Sequence, residues 1–193
     1  MKRFENFTAD DRIDVSLLEN DIHYLTGDIS EENIGNAIKW IVSANLTKKP
    51  KRTLELYINS TGGDLYQAFA LIDIMKESYH TISTVGVGAV MSAAFLIFIS
   101  GKQGYRYIGK NTGIMNHQHS DAMESKMHDM RSAMKENANC ELRSFNIIRE
   151  ACPVDYSDVV TGVLDEPEIG HIYKSWHDKF YNRHKELFLA KLD

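Results

Sequence analysis

Ile82-Ser83-Thr84-Val85-Gly86-Val87-Gly88-Ala89-Val90-Met91-Ser92-Ala93-Ala94-Phe95-Leu96-Ile97-Phe98-Ile99-Ser100 is the stretch whose reading decides the fold. It is long and uncharged enough to be weighed as a membrane span. Its internal chemistry argues against one. Gly86 and Gly88 interrupt it, and serine and threonine dot its first half. That first half is β-branched, which suits a strand, whereas the second is rich in residues that suit a helix. A buried strand, a turn and a buried helix account for both halves, with Ser92 where strand meets helix.

The same alternation continues on either side. Upstream, residues 22–26 read as a short strand stopped by Gly27. Residues 31–46 read as a helix, because Ile34, Ala37, Ile38, Ile41 and Ala44 recur at spacings of three and four. Residues 53–58 form the next strand and run into Asn59-Ser60-Thr61-Gly62-Gly63. A helix from Asp64 to about Tyr79 follows, with Asp64 placed to cap it. Strand 81–87, helix 91–100, strand 105–108 and a short strand before His117 complete the series. Strands alternating with helices predict crossover connections and an α/β fold. Residues 121–151 then read as one long polar helix carrying Met123, Met127, Met130 and Met134 as a stripe, ended by Pro153. A helix of that length is expected to pack on a neighbour. A last helix is expected near residues 171–192.

Composition narrows the class. The chain has 193 residues, 43% hydrophobic and 25% charged, which suits one globular domain over residues 1–193. No low-complexity linker divides it. A net charge of −5 with no basic block excludes a surface made for nucleic acid. Cys140 and Cys152 fit neither a metal spacing nor a disulfide framework. Reduced thiols and a cytoplasmic location are therefore expected. The opening Met1-Lys2-Arg3-Phe4-Glu5-Asn6 has no apolar stretch behind its basic pair and does not read as a signal peptide.

Three pieces could carry chemistry. Tyr57-Ile58-Asn59-Ser60-Thr61-Gly62-Gly63 ends a strand in a double glycine, where the backbone can take φ > 0 and admit close approach by another chain. An N–H there can face a developing oxyanion. A simple tight turn would look the same. Ser92 has its hydroxyl near a helix N-terminus, where negative charge is favoured, though a plain N-cap serine would sit there too. His117 ends a strand, and neutral imidazole is the usual base for a serine hydroxyl. Gly63 lies 29 residues before Ser92 and His117 lies 25 after it.

Taken together, Tyr57-Ile58-Asn59-Ser60-x-Gly62-Gly63, Ser92 at a small-residue helix start, Gly101-Lys102-x-Gly104-x-Arg106 and Met115-x-His117-Gln118 resemble the Clp protease proteolytic-subunit family over roughly residues 22–166. The resemblance implies a ClpP/crotonase-type fold of stacked β-α turns with a handle helix, about 121–151, projecting from a head of about 1–118 and 153–193. It implies heptameric rings, with two rings stacking as a tetradecamer, and an ATP-driven AAA+ unfoldase that feeds polypeptide to the chamber. It implies no cofactor. By position, Ser92 is the nucleophile, His117 the base, and the amides of Gly63 and Ala93 the oxyanion donors beside Gly62.

Several residues depart from the family pattern. The triad carboxylate falls at Glu166, with Asp165 beside it and Pro167 after it. His119-Ser120-Asp121-Ala122 stands where the family has proline and glycines that line the substrate groove. Glu55 replaces an aromatic of the unfoldase-docking pocket, while Tyr57 keeps another. A non-catalytic ring subunit that co-assembles with active ClpP-like subunits is the alternative reading. A crotonase-type acyl-CoA enzyme shares the architecture, but the Ser92/His117 pair argues against it. Metal binding by His117, His119 and His128 lacks any supporting pattern.

Overall fold

The computed structural model describes residues 8–47, 50–117 and 127–151. Two compact units divide the chain, Met1–Asn116 and His117–Asp193.

The first unit opens with a helix absent from the sequence reading, α1 (Ala9–Glu19). Its signal is a capping box: Asp11 N donates to Thr8 Oγ1 at 3.2 Å, and Thr8 N donates back to Asp11 Oδ2 at 2.8 Å. Strand and helix then alternate through β1 (Ile22–Thr26), α2 (Glu31–Leu46), β2 (Thr53–Ser60), α3 (Leu65–Lys76), β3 (Thr81–Met91), α4 (Ala93–Ile99), β4 (Arg106–Ile108) and β5 (Gly113–Met115). All pairings are parallel, in the order β1-β2-β3-β4, with β5 also on β3. This is the mixed α/β architecture that the resemblance implies. Sequential order with right-handed crossovers places successive helices on one face of the sheet.

The pattern of β2 shows that face directly. Leu54, Leu56, Ile58 and Ser60 are buried, while Thr53, Glu55, Tyr57 and Asn59 between them are half-buried. Ile34, Ala37, Ile41 and Ala44 of α2 and Ala68, Leu71 and Ile72 of α3 are buried with them. On the other face, burial and the neighbouring Glu55 carboxylate push the Tyr57 phenol above its ordinary value, and the phenol hydrogen-bonds to that carboxylate.

The strand starts are tied by a polar knot. Arg52 Nη2 donates to Asp21 Oδ1 at 2.8 Å and its Nε donates to Asp21 Oδ2. Arg52 N donates to Nδ1 of buried His80 at 3.3 Å, which leaves His80 Nε2 as the donor to Ala44 O at 3.1 Å.

Two features shape the C-terminal edge of the sheet. The first is a bulge in β3. Ile58 pairs with Gly86 but Ser60 pairs with Val90, so Val87, Gly88 and Ala89 oppose Asn59 alone. Ala89 N donates to Asn59 Oδ1 at 3.0 Å. Gly88 has φ +68°, and a Cβ there would lie 2.6 Å from Asn59 Oδ1. β3 therefore pairs with β4 before the bulge and with β5 after it.

The second feature is the turn after α4. A Cβ on Gly101 would lie 2.3 Å from Thr84 Oγ1, which itself donates to Phe98 O at 2.8 Å. Lys102 N donates to Ile82 O at 2.9 Å, and Arg106 Nε donates to Gly101 O at 2.7 Å. Thus Gly-Lys-x-Gly-x-Arg is a structural clasp between α4 and β4.

In the second unit, α5 (Met127–Ala151) gives the expected long helix, with Cys140, Ile147 and Ile148 buried along it. Residues 121–126, the final helix expected near 171–192 and Cys152 lie outside the described residues, as do the methionine side chains of the stripe. Among the described residues, no helix is long and apolar enough to cross a membrane.

Two outcomes are expected. Asn59→Ala leaves Ala89 N–H without its acceptor and should cost about 1–3 kcal/mol in chemical denaturation. His23, stacked on Trp40 with centroids 5.3 Å apart, has its pKa lowered by burial, with Asp14 opposing. The unfolded chain therefore takes up the proton first, and stability falls as pH drops below the free-histidine value. His23→Phe should flatten the unfolding free energy between about pH 7 and pH 5.

Candidate active site

Ser92 follows the last residue of β3 and carries φ 54° and ψ −126°. For a residue with a Cβ this conformation costs on the order of 1–3 kcal/mol and persists only where its surroundings impose it. The surroundings here are specific. Ser92 N donates to Met115 O at 2.8 Å, and Ser92 O accepts from Phe95 N at 3.0 Å. All seven residues of α4 behind it are buried. Ser92 occupies the N-cap position of α4, yet its side chain makes no capping hydrogen bond. The plain capping reading of this serine is thereby removed, and helix initiation leaves its hydroxyl unused.

The two glycines have separate tasks. At Gly62, φ +111°, a Cβ would lie 2.6 Å from Ser92 Cβ, 3.1 Å from Ser92 Oγ and 3.0 Å from Met91 O. Only a residue without a side chain lets the end of β2 lie against the serine. Gly62 N donates to buried Ser60 Oγ at 3.1 Å, so the contribution of Gly62 is space rather than a donor. At Gly63, φ +148°, a Cβ would lie 2.5 Å from Ile29 O. Ile29 N donates to Gly62 O at 2.9 Å and Asp64 N donates to Ile29 O at 2.8 Å. In such a parallel bridge, Ile29 uses the groups that flank Gly63 and turns Gly63's own N–H to the opposite edge. Ala93 is the first residue of α4, whose leading N–H groups have no partner inside the helix.

The first unit therefore brings Gly62, Gly63, Ser92 and Ala93 to the C-terminal ends of β2 and β3. His117 is exposed and is the first residue of the second unit. Asp165, Glu166, Gln118 and His119 lie outside the described residues. No group of three or more His, Cys, Asp or Glu that could hold a metal ion occurs among the described residues. Two positioning roles escaped the sequence reading. Asn59 builds the bulge, and Ile29 backs the glycine turn.

A family model described as Clp protease matches residues 7–164. The chain belongs to the Clp protease family. It is 31% identical over 136 residues to a protein named "ATP-dependent Clp protease proteolytic subunit 1" from Leifsonia xyli subsp. xyli, covering 70% of this chain and 68% of that protein. A protein of the same name from Frankia casuarinae is 32% identical over 121 residues, or 63% of this chain and 56% of that one. The Clp protease match spans α1 to α5, so the glycine turn, Ser92 and His117 all fall inside it.

The contact at Gly62 gives a sharp expectation for this family member. Gly62→Ala must displace the Ser92 side chain, because the new methyl meets Ser92 Cβ and Met91 O. The unfolding free energy of Gly62→Ala should therefore fall by about 1–3 kcal/mol in chemical denaturation, the cost of forcing a methyl into filled space.

Proposed function

We propose that this chain is the proteolytic subunit of an ATP-dependent Clp protease, a serine endopeptidase acting on unfolded polypeptide inside an oligomeric ring. One observation supports the reading most strongly: in a Clp protease family chain, Ser92 is held in a left-handed conformation, its hydroxyl unused by the helix it precedes. A strained residue whose hydroxyl is left outside the helix's capping hydrogen bonds fits a nucleophile.

The chemistry follows from the residues. Ser92 Oγ adds to the peptide carbonyl carbon as His117 takes its proton. The carbonyl oxygen gains the negative charge, and the N–H groups of Gly63 and Ala93 stabilise it. Collapse of the tetrahedral species breaks the C–N bond, and His117 returns the proton to the leaving amine. Water, deprotonated by the same imidazole, then cleaves the Ser92 ester. Asp165 or Glu166 orients His117 and stabilises its cation; the shorter aspartate is the residue type used in the family. Heptameric assembly, with stacking of two rings, would enclose the site. An AAA+ unfoldase would supply extended substrate, and the reaction needs no metal or cofactor.

The test combines assembly and reactivity. Native mass should show a ring, and a fluorophosphonate should label wild type but not Ser92→Ala. Turnover of a short fluorogenic peptide should fall by a factor of about 10⁴ or more in Ser92→Ala. Asp165→Asn and Glu166→Gln identify the orienting carboxylate, since its loss should lower kcat by about 10⁴ with the ring intact. An assembled ring that neither labels nor cleaves would leave the non-catalytic ring subunit as the reading.

A further inference from the structure

The residue after Gly63 is charged, and its geometry is well defined. Asp64 caps α3: its Oδ1 accepts from Tyr66 N at 2.7 Å and from Gln67 N at 3.1 Å. Its own N–H is fixed on Ile29 O at 2.8 Å. Asp64 and Gly63 are both exposed. Only Oδ1 is used by the cap, and among the described residues no cation pairs with the carboxylate. Asp64 follows Gly63 directly, so the residue that carries this charge has its Cα about 3.8 Å from that of Gly63.

A fixed carboxylate there acts on whatever chain lies over the glycine turn. It attracts a cationic side chain and repels an acidic one. The α3 N-terminus offsets part of that field without removing the net charge. We infer that Asp64 sets a charge preference at this site, favouring polypeptide segments with lysine or arginine beside the scissile bond over segments with aspartate or glutamate. The inference rests on the peptidase reading of Ser92. Asp64 is a specificity residue here, not a member of the catalytic group.

Asp64→Asn makes the test clean, because asparagine caps a helix about as well as aspartate and has nearly the same shape. Asp64→Ser, a second neutral capping residue, separates charge from shape. The assembled wild type and both variants are compared on two fluorogenic peptides that differ only in Lys or Glu next to the cleaved bond. At about 0.05 M salt, wild type should prefer the Lys peptide by roughly three- to ten-fold in kcat/KM, and the ratio should shrink toward one at about 0.5 M. In both variants the ratio should lie near one at either salt concentration. An unchanged ratio in Asp64→Asn, or a wild-type preference for the Glu peptide, overturns the inference. Fluorophosphonate labelling of Ser92 in the same samples separates the two levels. Labelled wild type without a charge preference sinks the role of Asp64 alone, whereas unlabelled, assembled wild type sinks the peptidase reading and this inference with it.

Discussion

An amide oxygen from a side chain, Asn59 Oδ1, stands where a backbone carbonyl would otherwise receive Ala89 N–H. The geometry of the C-terminal edge of the sheet follows from that substitution. Two parallel strands cannot carry three residues opposite one unless the surplus polar groups find partners. Asn59 supplies such a partner, and Gly88 leaves room for its side chain. The bend lets β3 leave β4, join β5 and deliver Met91 and Ser92 against Gly62. Without the bulge, β2 and β3 would end in simple register and Ser92 would have no reason to turn left-handed.

The costs and gains lie on different elements. Strain is local to Ser92, whereas the gain lies in α4, whose seven residues are all buried. Burying side chains such as Phe95 and Phe98 contributes on the order of 1.5–3 kcal/mol each, which exceeds the cost of one unfavourable backbone conformation. Thr84 and Gly101 fix the far end of α4, so the helix cannot slide to relax the serine. The clasp that carries the family's Gly-Lys-x-Gly-x-Arg pattern thus supports the site from behind without touching it.

Much of this was legible in the sequence because the relevant signals are local. Periodicity located α2, and Asp64 announced the start of α3. The switch from β-branched to helix-favouring residues located the β3–α4 junction at Ser92. What escaped was set by partners distant in the chain. Strand 81–87 was expected to stop at its glycines, yet β3 continues to Met91 because Asn59, some thirty positions away, accepts the bulge. The double glycine reads as a turn open to close approach, but the groups that approach it, Ile29 and Ser92, lie far off in the chain. No periodicity encodes either contact. α1 was missed for the opposite reason: its capping box is local, but its apolar face is weak, with Ile13 and Leu18 exposed.

The complete burial of α4 has a consequence for how the protein fails. Segments that open at little cost are those with few buried contacts. Ser92 is joined to a helix with no solvent-facing side, so no cheap local excursion frees it. The strained serine junction and the rest of this unit should therefore be lost in one cooperative event on heating, and amide hydrogens along residues 95–99 should be among the last in this unit to exchange.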